Sequence, residues 1–255
     1  MSPRRPPRAW IGSALPVDET GLAGPRGLTA EVLRGDDEPA PPPGSAAFWW
    51  EQLTAERKER IQSVVEARLQ SVTVVLDRLF DPHNTAAILR TAEALGLSKV
   101  HVVPHEDEDG IAHRRVTQDA DKWLDVELHA SGAAAAAALA ASGFEVWAGH
   151  LDPAARLYTD LPADRPVALL FGNEHEGPSP ATLSACAGTF RIPMAGFTRS
   201  FNVSVAAGIA LAHQTSARRR RLGAAGDLSA RERVMLRDRF TLLAARLARR
   251  VKSGG

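Results

Sequence analysis

The sequence predicts an α/β fold: a parallel sheet with helices on both of its faces. Three observations carry this. Six short runs with apolar residues, rich in β-branched ones at 72–79 and 99–103, recur between residues 72 and 194, and segments with helical spacing of apolar residues lie between them. With 255 residues and 44% hydrophobic content, the chain can bury one sizeable core and still carry flanking segments.

The elements follow in order. Residues 1–47 mix proline, glycine and charge without apolar periodicity, which leaves little apolar surface to offset the entropy of ordering and predicts a disordered tail. Order is expected from Phe48, Trp49 and Trp50, where Leu53, Ile61, Val64, Val65 and Leu69 mark one amphipathic helix bearing Arg57, Lys58 and Arg60. Strands are predicted at 72–79, 99–103, 124–128, 145–150, 167–171 and 190–194, and helices at 84–95, at the alanine-rich 131–141 and at 180–187. A last core helix runs from Asn202 through Arg218, Arg219, Arg220 and Arg221, and the glycines at 223 and 226 mark a link. Residues 228–251 then read as a basic helix with Leu236, Phe240, Leu243 and Leu247 on its apolar stripe. The expected organisation is a tail (1–47), an α/β domain with an N-terminal basic helix (48–222) and a basic helical extension (223–255).

Composition narrows the function classes. The net charge is only +1, yet residues 213–255 hold twelve Arg or Lys against three Asp or Glu, so the basic end is where an anionic partner is expected. The single cysteine, Cys186, can form neither an intrachain disulfide nor a Cys cluster for zinc, in keeping with a reducing compartment. No stretch approaches the roughly 20 apolar residues that cross a bilayer, and the Arg-rich start leads into prolines instead of a signal-peptide core. A soluble, cytoplasmic, unprocessed protein without a membrane partner is expected.

Three segments are incompletely explained by packing. The first, residues 81–96, follows a strand: Asn84 stands at an N-cap position, Gly96 where a helix stops, and Arg90 mid-helix, where a guanidinium needs an anionic or hydrogen-bonding partner. The alternative is capping plus a structural ion pair. In the second, residues 167–178, an apolar strand delivers a glycine-bounded turn with Glu174 and Glu176 at its carboxyl end, where open α/β sheets place ligands, although either carboxylate could simply be solvated. The third, residues 191–208, passes from a strand through a loop with Pro193 and Gly196 into a helix of small residues, with exposed N–H groups at its start. Ser200 or Asn202 could be the N-cap of that helix and nothing more.

Together, in this order and spacing, the three segments resemble the signature motifs of the SpoU/TrmH branch of the SPOUT RNA 2′-O-ribose methyltransferases, most closely its tRNA guanosine 2′-O-methyltransferases. The resemblance spans roughly residues 55–222 and rests on His83, Asn84, Ile88, Leu89 and Arg90, on Lys122 and Trp123, on Ile192, Pro193 and Met194, and on the run from Ser200 to Ala206. It implies a deep trefoil knot near the carboxyl end, a homodimer through the knot region with one subunit contributing to its partner's site, and S-adenosyl-L-methionine held by Gly149, Gly172, Ile192, Met194 and Phe201. Asn84, Arg90, Glu174, Ser200 and Asn202 match the family's catalytic positions. The resemblance gives Arg90 the handling of the ribose 2′-OH proton. Because a guanidinium is a permanent donor, the role expected of it is to fix phosphate and 2′-oxygen and to stabilise developing charge. No metal is expected in the chemistry. The sequence departs from the pattern in an acidic stretch before Lys122, at Arg199 in place of a glutamine and at Phe201 in place of a leucine.

The expected substrate is tRNA, at the D-loop guanosine (position 18). Arg57, Lys58, Arg60, Arg218, Arg219, Arg220, Arg221, Arg246 and Arg249 are the expected phosphate contacts. The alternatives are a ribosomal-RNA 2′-O-methyltransferase of the same branch and a non-catalytic knotted RNA-binding protein. A Rossmann-type dinucleotide enzyme is set aside because no G-x-G-x-x-G follows the first strand.

Overall fold

The computed structural model describes residues 44–105 and 121–253. Most of the expected tail and residues 106–120, which include most of the acidic stretch before Lys122, lie outside them. Two compact units are formed, residues 44–63 with 235–253, and Val64–Val234.

The larger unit is built on a seven-stranded sheet: β1 (Val72–Asp77), β2 (Lys99–Val103), β3 (Asp125–Leu128), β4 (Glu145–Gly149), β5 (Arg156–Leu157), β6 (Val167–Phe171) and β7 (Gly188–Arg191). Their spatial order is β3-β2-β1-β6-β4-β7-β5, and every pairing is parallel. The six strands predicted from sequence are present. The two residues of β5 are too few to leave a periodic signal. The last predicted strand stops at Arg191 instead of 194, because Pro193 has no N–H for a ladder bond.

The pleat sends alternate residues of β1 and β6 to opposite faces. On one face Val72, Val74, Leu76, Val167 and Leu169 share a core with Ile88, Leu89 and Ala92 of α3 (Pro82–Ala94) and with Ala207, Ala210 and Leu211 of the long helix Val203–Leu222. On the other face Val75, Ala168 and Leu170 meet Ala135, Ala136 and Leu139 of α4 (Gly132–Ala141), alongside Leu183 of α5 (Pro180–Ala185). The layered fold expected from alternating strands and helices is therefore present.

Numbered onward, the long helix Val203–Leu222 is α6 and the last helix, Ala230–Ser253, is α7. The single helix expected after Phe48 is two, α1 (Ala46–Glu51) and α2 (Ala55–Glu66). The Thr54 hydroxyl accepts from Arg57 N at 3.3 Å, which starts α2 afresh. Leu69, expected on that helix, instead bridges to Leu97 beside the sheet. Within the smaller unit Arg237 lies over the Trp50 ring at 5.4 Å, and Phe240, Ala244 and Ala245 are buried.

The arginine run at the end of α6 divides by direction. Successive helical residues turn by about 100°, so 218 and 219 face inward when 220 and 221 face out. Arg218 is buried, donating from Nε to Ser71 Oγ at 2.8 Å and from its terminal nitrogen to Ala163 O at 3.1 Å. Arg219 donates to the carbonyls of Ala67, Leu95 and Ala225 at 3.0, 2.9 and 2.7 Å, and burial lowers its pKa. Both were expected at the RNA surface; their donors instead close backbone and hydroxyl acceptors of the fold. Arg220 and Arg221 remain exposed. Arg218→Ala should therefore lower the unfolding free energy by about 2–3 kcal/mol in urea titrations, and Arg220→Ala by no more than about 0.5 kcal/mol.

Candidate active site

The carboxyl ends of β4, β6 and β7 open into a cavity of about 320 Å³. Its lining includes Gly149, Gly172, Ile192, Met194 and Phe201, all five residues expected to hold a cofactor, together with Glu174 and Ser200. Phe171, Phe190, Val203 and Ala206 add apolar surface, and Glu176 adds a second carboxylate. Gly172 has no alternative, because a Cβ there would fall on the backbone of Gly177 and Pro178, so the turn after β6 closes only around a bare Cα. Gly177 makes the return in the left-handed region, at φ +69°.

Hydrogen bonds join the three motif segments in one line. Asn84 Nδ2 donates to Glu174 Oε1 at 2.8 Å, and Asn202 Nδ2 donates to Asn84 Oδ1 at 3.0 Å. Glu174 also accepts from the N–H of Phe80 at 2.7 Å and of Asp81 at 3.4 Å. Partial burial disfavours its charge, but the Phe80 N–H, the Asn84 amide and the Asp81 N–H outweigh this and hold its pKa below the usual carboxylate value. Asn202 is also the N-cap of α6, its Oδ1 accepting from Ser204 N at 2.9 Å and Val205 N at 3.4 Å.

Asn84 is not the cap that its position in the sequence suggested. Asp81 caps α3 by accepting from His83 N at 2.8 Å, and Pro82 opens the helix, leaving Asn84 buried inside it with its amide free to reach both partners. Sequence reasoning missed Asn173, whose Nδ2 donates to Arg78 O at 3.0 Å while its Oδ1 accepts from His175 N at 2.9 Å and Glu176 N at 3.3 Å. An Asn in a glycine-bounded turn is the one signal that could have found it. It also gave no role to the exposed Phe80 ring, edge-on to His175 at 5.4 Å between centroids.

Arg90 was expected to need a partner inside the fold. It is exposed, and among the described residues it has no hydrogen bond or ion pair, because its side of α3 turns away from the sheet. Arg90, Asn84 and Asn202 stand outside the cavity lining, and Ser200 is exposed at the cavity.

Replacing Asn84 by Asp tests the line of hydrogen bonds through pH. In the native protein the lowered pKa of Glu174 gives stability that is complete above the unfolded carboxyl value of about 4.3 and is lost as pH falls through the lower folded value. In Asn84→Asp two carboxylates face each other, which raises one pKa. That protein should be about 2 kcal/mol less stable than the native chain in denaturation at pH 7, and the deficit should shrink at pH 5.

Residues 71–212 match the SpoU rRNA Methylase family. The tRNA (guanosine(18)-2′-O)-methyltransferase of Thermus thermophilus is 36% identical over 161 residues, 63% of this chain and 82% of that protein. The crystal structure of an Aquifex aeolicus TrmH/SpoU tRNA modifying enzyme superposes with a TM-score of 0.65 at 27% identity, covering 73% of this chain and 95% of that one. An AdoMet-bound rRNA methyltransferase from Sinorhizobium meliloti superposes at 0.51 with 29% identity, over 64% and 60% of the two chains. With a family match over more than half of its length and a relative that it covers to 82%, this chain belongs to the SpoU rRNA methylase family.

Proposed function

We propose that this protein transfers a methyl group from S-adenosyl-L-methionine to a ribose 2′-oxygen of tRNA, at the guanosine of position 18. The observation that carries the reading is the cavity at the strand ends with the five expected cofactor residues in its wall, beside three motifs tied by Glu174, Asn84 and Asn202. The substrate rests on the relatives, several of which are named as tRNA (guanosine(18)-2′-O)-methyltransferases.

The cavity suits the cofactor by shape and charge. Phe171, Phe201, Ile192 and Met194 offer apolar walls for a base, and Glu174 and Glu176 add negative charge that suits a cationic sulfonium. Bound there, the sulfonium supplies an activated methyl group. Held by Gly149, Gly172, Ile192, Met194 and Phe201, the cofactor would give up that methyl group to a ribose 2′-oxygen, whose proton would pass to solvent.

The chain's own residues then have distinct tasks. Arg90 offers a permanently charged fork to a phosphate and to the 2′-oxygen, holding it in line and stabilising charge as the proton leaves. Glu174, Asn84 and Asn202 keep the loops around the cavity in fixed relation, and Ser200 adds a hydroxyl at its wall.

The trefoil knot and the homodimer belong to the same proposal. Phe197 is fully exposed, with Phe201 and Val205 at 40% and 50%, an apolar surface that a second copy would cover. Arg90, exposed and outside its own cavity lining, suits delivery to a partner's site. For RNA phosphates we propose exposed Arg220 and Arg221 in the larger unit and exposed Arg60 and Arg246 in the smaller, with half-buried Arg57 and Lys58 contributing less. The side chain of Arg249 lies outside the described residues.

The test is methyl transfer from labelled S-adenosylmethionine to unmodified tRNA and, separately, to ribosomal RNA. Native protein should label the 2′-oxygen of guanosine 18. Because Arg90 is exposed and makes no hydrogen bond or ion pair among the described residues, Arg90→Ala should melt like the native chain and lose at least about 100-fold in rate, with Arg90→Lys recovering little because the planar fork is gone. Label on ribosomal RNA alone would keep the reaction and remove the substrate; no transfer to either, with cofactor still bound, would favour a non-catalytic RNA-binding protein.

A further inference from the structure

At the outer end of the sheet three side chains converge that have no part in the cavity lining. His101 lies on β2, Glu127 beside it on β3, and His129 just past the end of β3. His101 Nδ1 and His129 Nε2 are 2.9 Å apart, and His129 Nε2 is 3.6 Å from Glu127 Oε1. His101 is 5% exposed and the His129 side chain 9%, against 44% for Glu127, so the group has a closed floor and one open side.

We propose that His101, Glu127 and His129 form a binding site for a divalent transition metal of the zinc class, with water completing the coordination. Their ligand atoms all lie within 4.8 Å of one another. Two imidazole nitrogens at about 2.0–2.1 Å from zinc are separated by roughly 2.9–3.3 Å for angles between square and tetrahedral, so the rings need to open little or not at all. Without an ion, one of these nitrogens must carry its ring's hydrogen and donate it to the other; binding puts the metal there while that hydrogen moves to the ring's second nitrogen, so each imidazole stays neutral.

The surroundings select the metal. Lys99 Nζ donates to Glu127 Oε2 at 2.8 Å, which leaves Oε1 turned toward the imidazoles and orients the carboxylate from behind. With two nitrogens, one oxygen and an ammonium nearby, the site disfavours magnesium and calcium, which are held by several oxygens. An ion here would fasten edge strand β3 to β2, a structural role separate from methyl transfer.

The full chain, free of any affinity tag, would be titrated with Zn²⁺ by calorimetry and with Co²⁺ by its ligand-field absorption, alongside Glu127→Gln and His129→Ala. One equivalent should bind the native protein and raise its melting temperature. Each variant should bind at least about tenfold more weakly and lose that rise. Glu127→Gln nearly keeps shape and is exposed, so it remains informative if His129→Ala folds poorly. No binding by the native chain, or binding unchanged in Glu127→Gln, would overturn the assignment.

Discussion

The active end of this protein depends on one short line of hydrogen bonds, from the Glu174 carboxylate to the Asn84 amide and on to Asn202. Its members come from the turn after β6, the first helix after β1 and the cap of α6, segments 90 and 118 residues apart in the chain. Each bond alone is worth about 1 kcal/mol net. Their importance is geometric, because Asn84 is buried and has both a donor and an acceptor to satisfy, so moving any one loop leaves a polar group unpaired. The loops that wall the cavity are thereby fixed to one another and to the central strands.

The same economy of charge governs the arginines. Arg218 and Arg219 hold the fold together, whereas Arg90 and Arg220 face solvent. Arg68 is a further internal case: fully buried, it donates to Leu97 O at 2.5 Å and pairs with Glu93 at 2.8 Å. A buried guanidinium needs such partners, and an exposed one without them stays available to an anionic ligand.

Much of this was legible in the sequence, for identifiable reasons. The runs at 99–103 and 167–171 gave strands with the observed bounds, because apolar β-branched stretches between turn residues have few other uses. The five residues expected to hold a cofactor, all in the cavity wall, came from motif resemblance, since no periodicity marks a cavity. What stayed hidden depended on partners distant in the chain. Asn84 reads as a cap until Glu174 and Asn202 are beside it, and Arg218 reads like Arg220 until the direction of α6 is known. The break at Thr54 was obscured because apolar residues on either side keep nearly helical spacing.

The place of β6 has a consequence for how the chain is made. It lies at the centre of the sheet, between β1 and β4, yet follows β1 by ninety residues. At synthesis rates of about 5–20 residues per second, β1 is finished roughly 5–18 seconds before its central neighbour exists. Throughout that interval a strand whose every residue is buried in the finished fold presents one unpaired edge, the kind of template on which chains join one another. A nascent chain of this topology therefore gains from anything that shields β1 on the ribosome, and its refolding from denaturant should be limited by closure of this long-range pair.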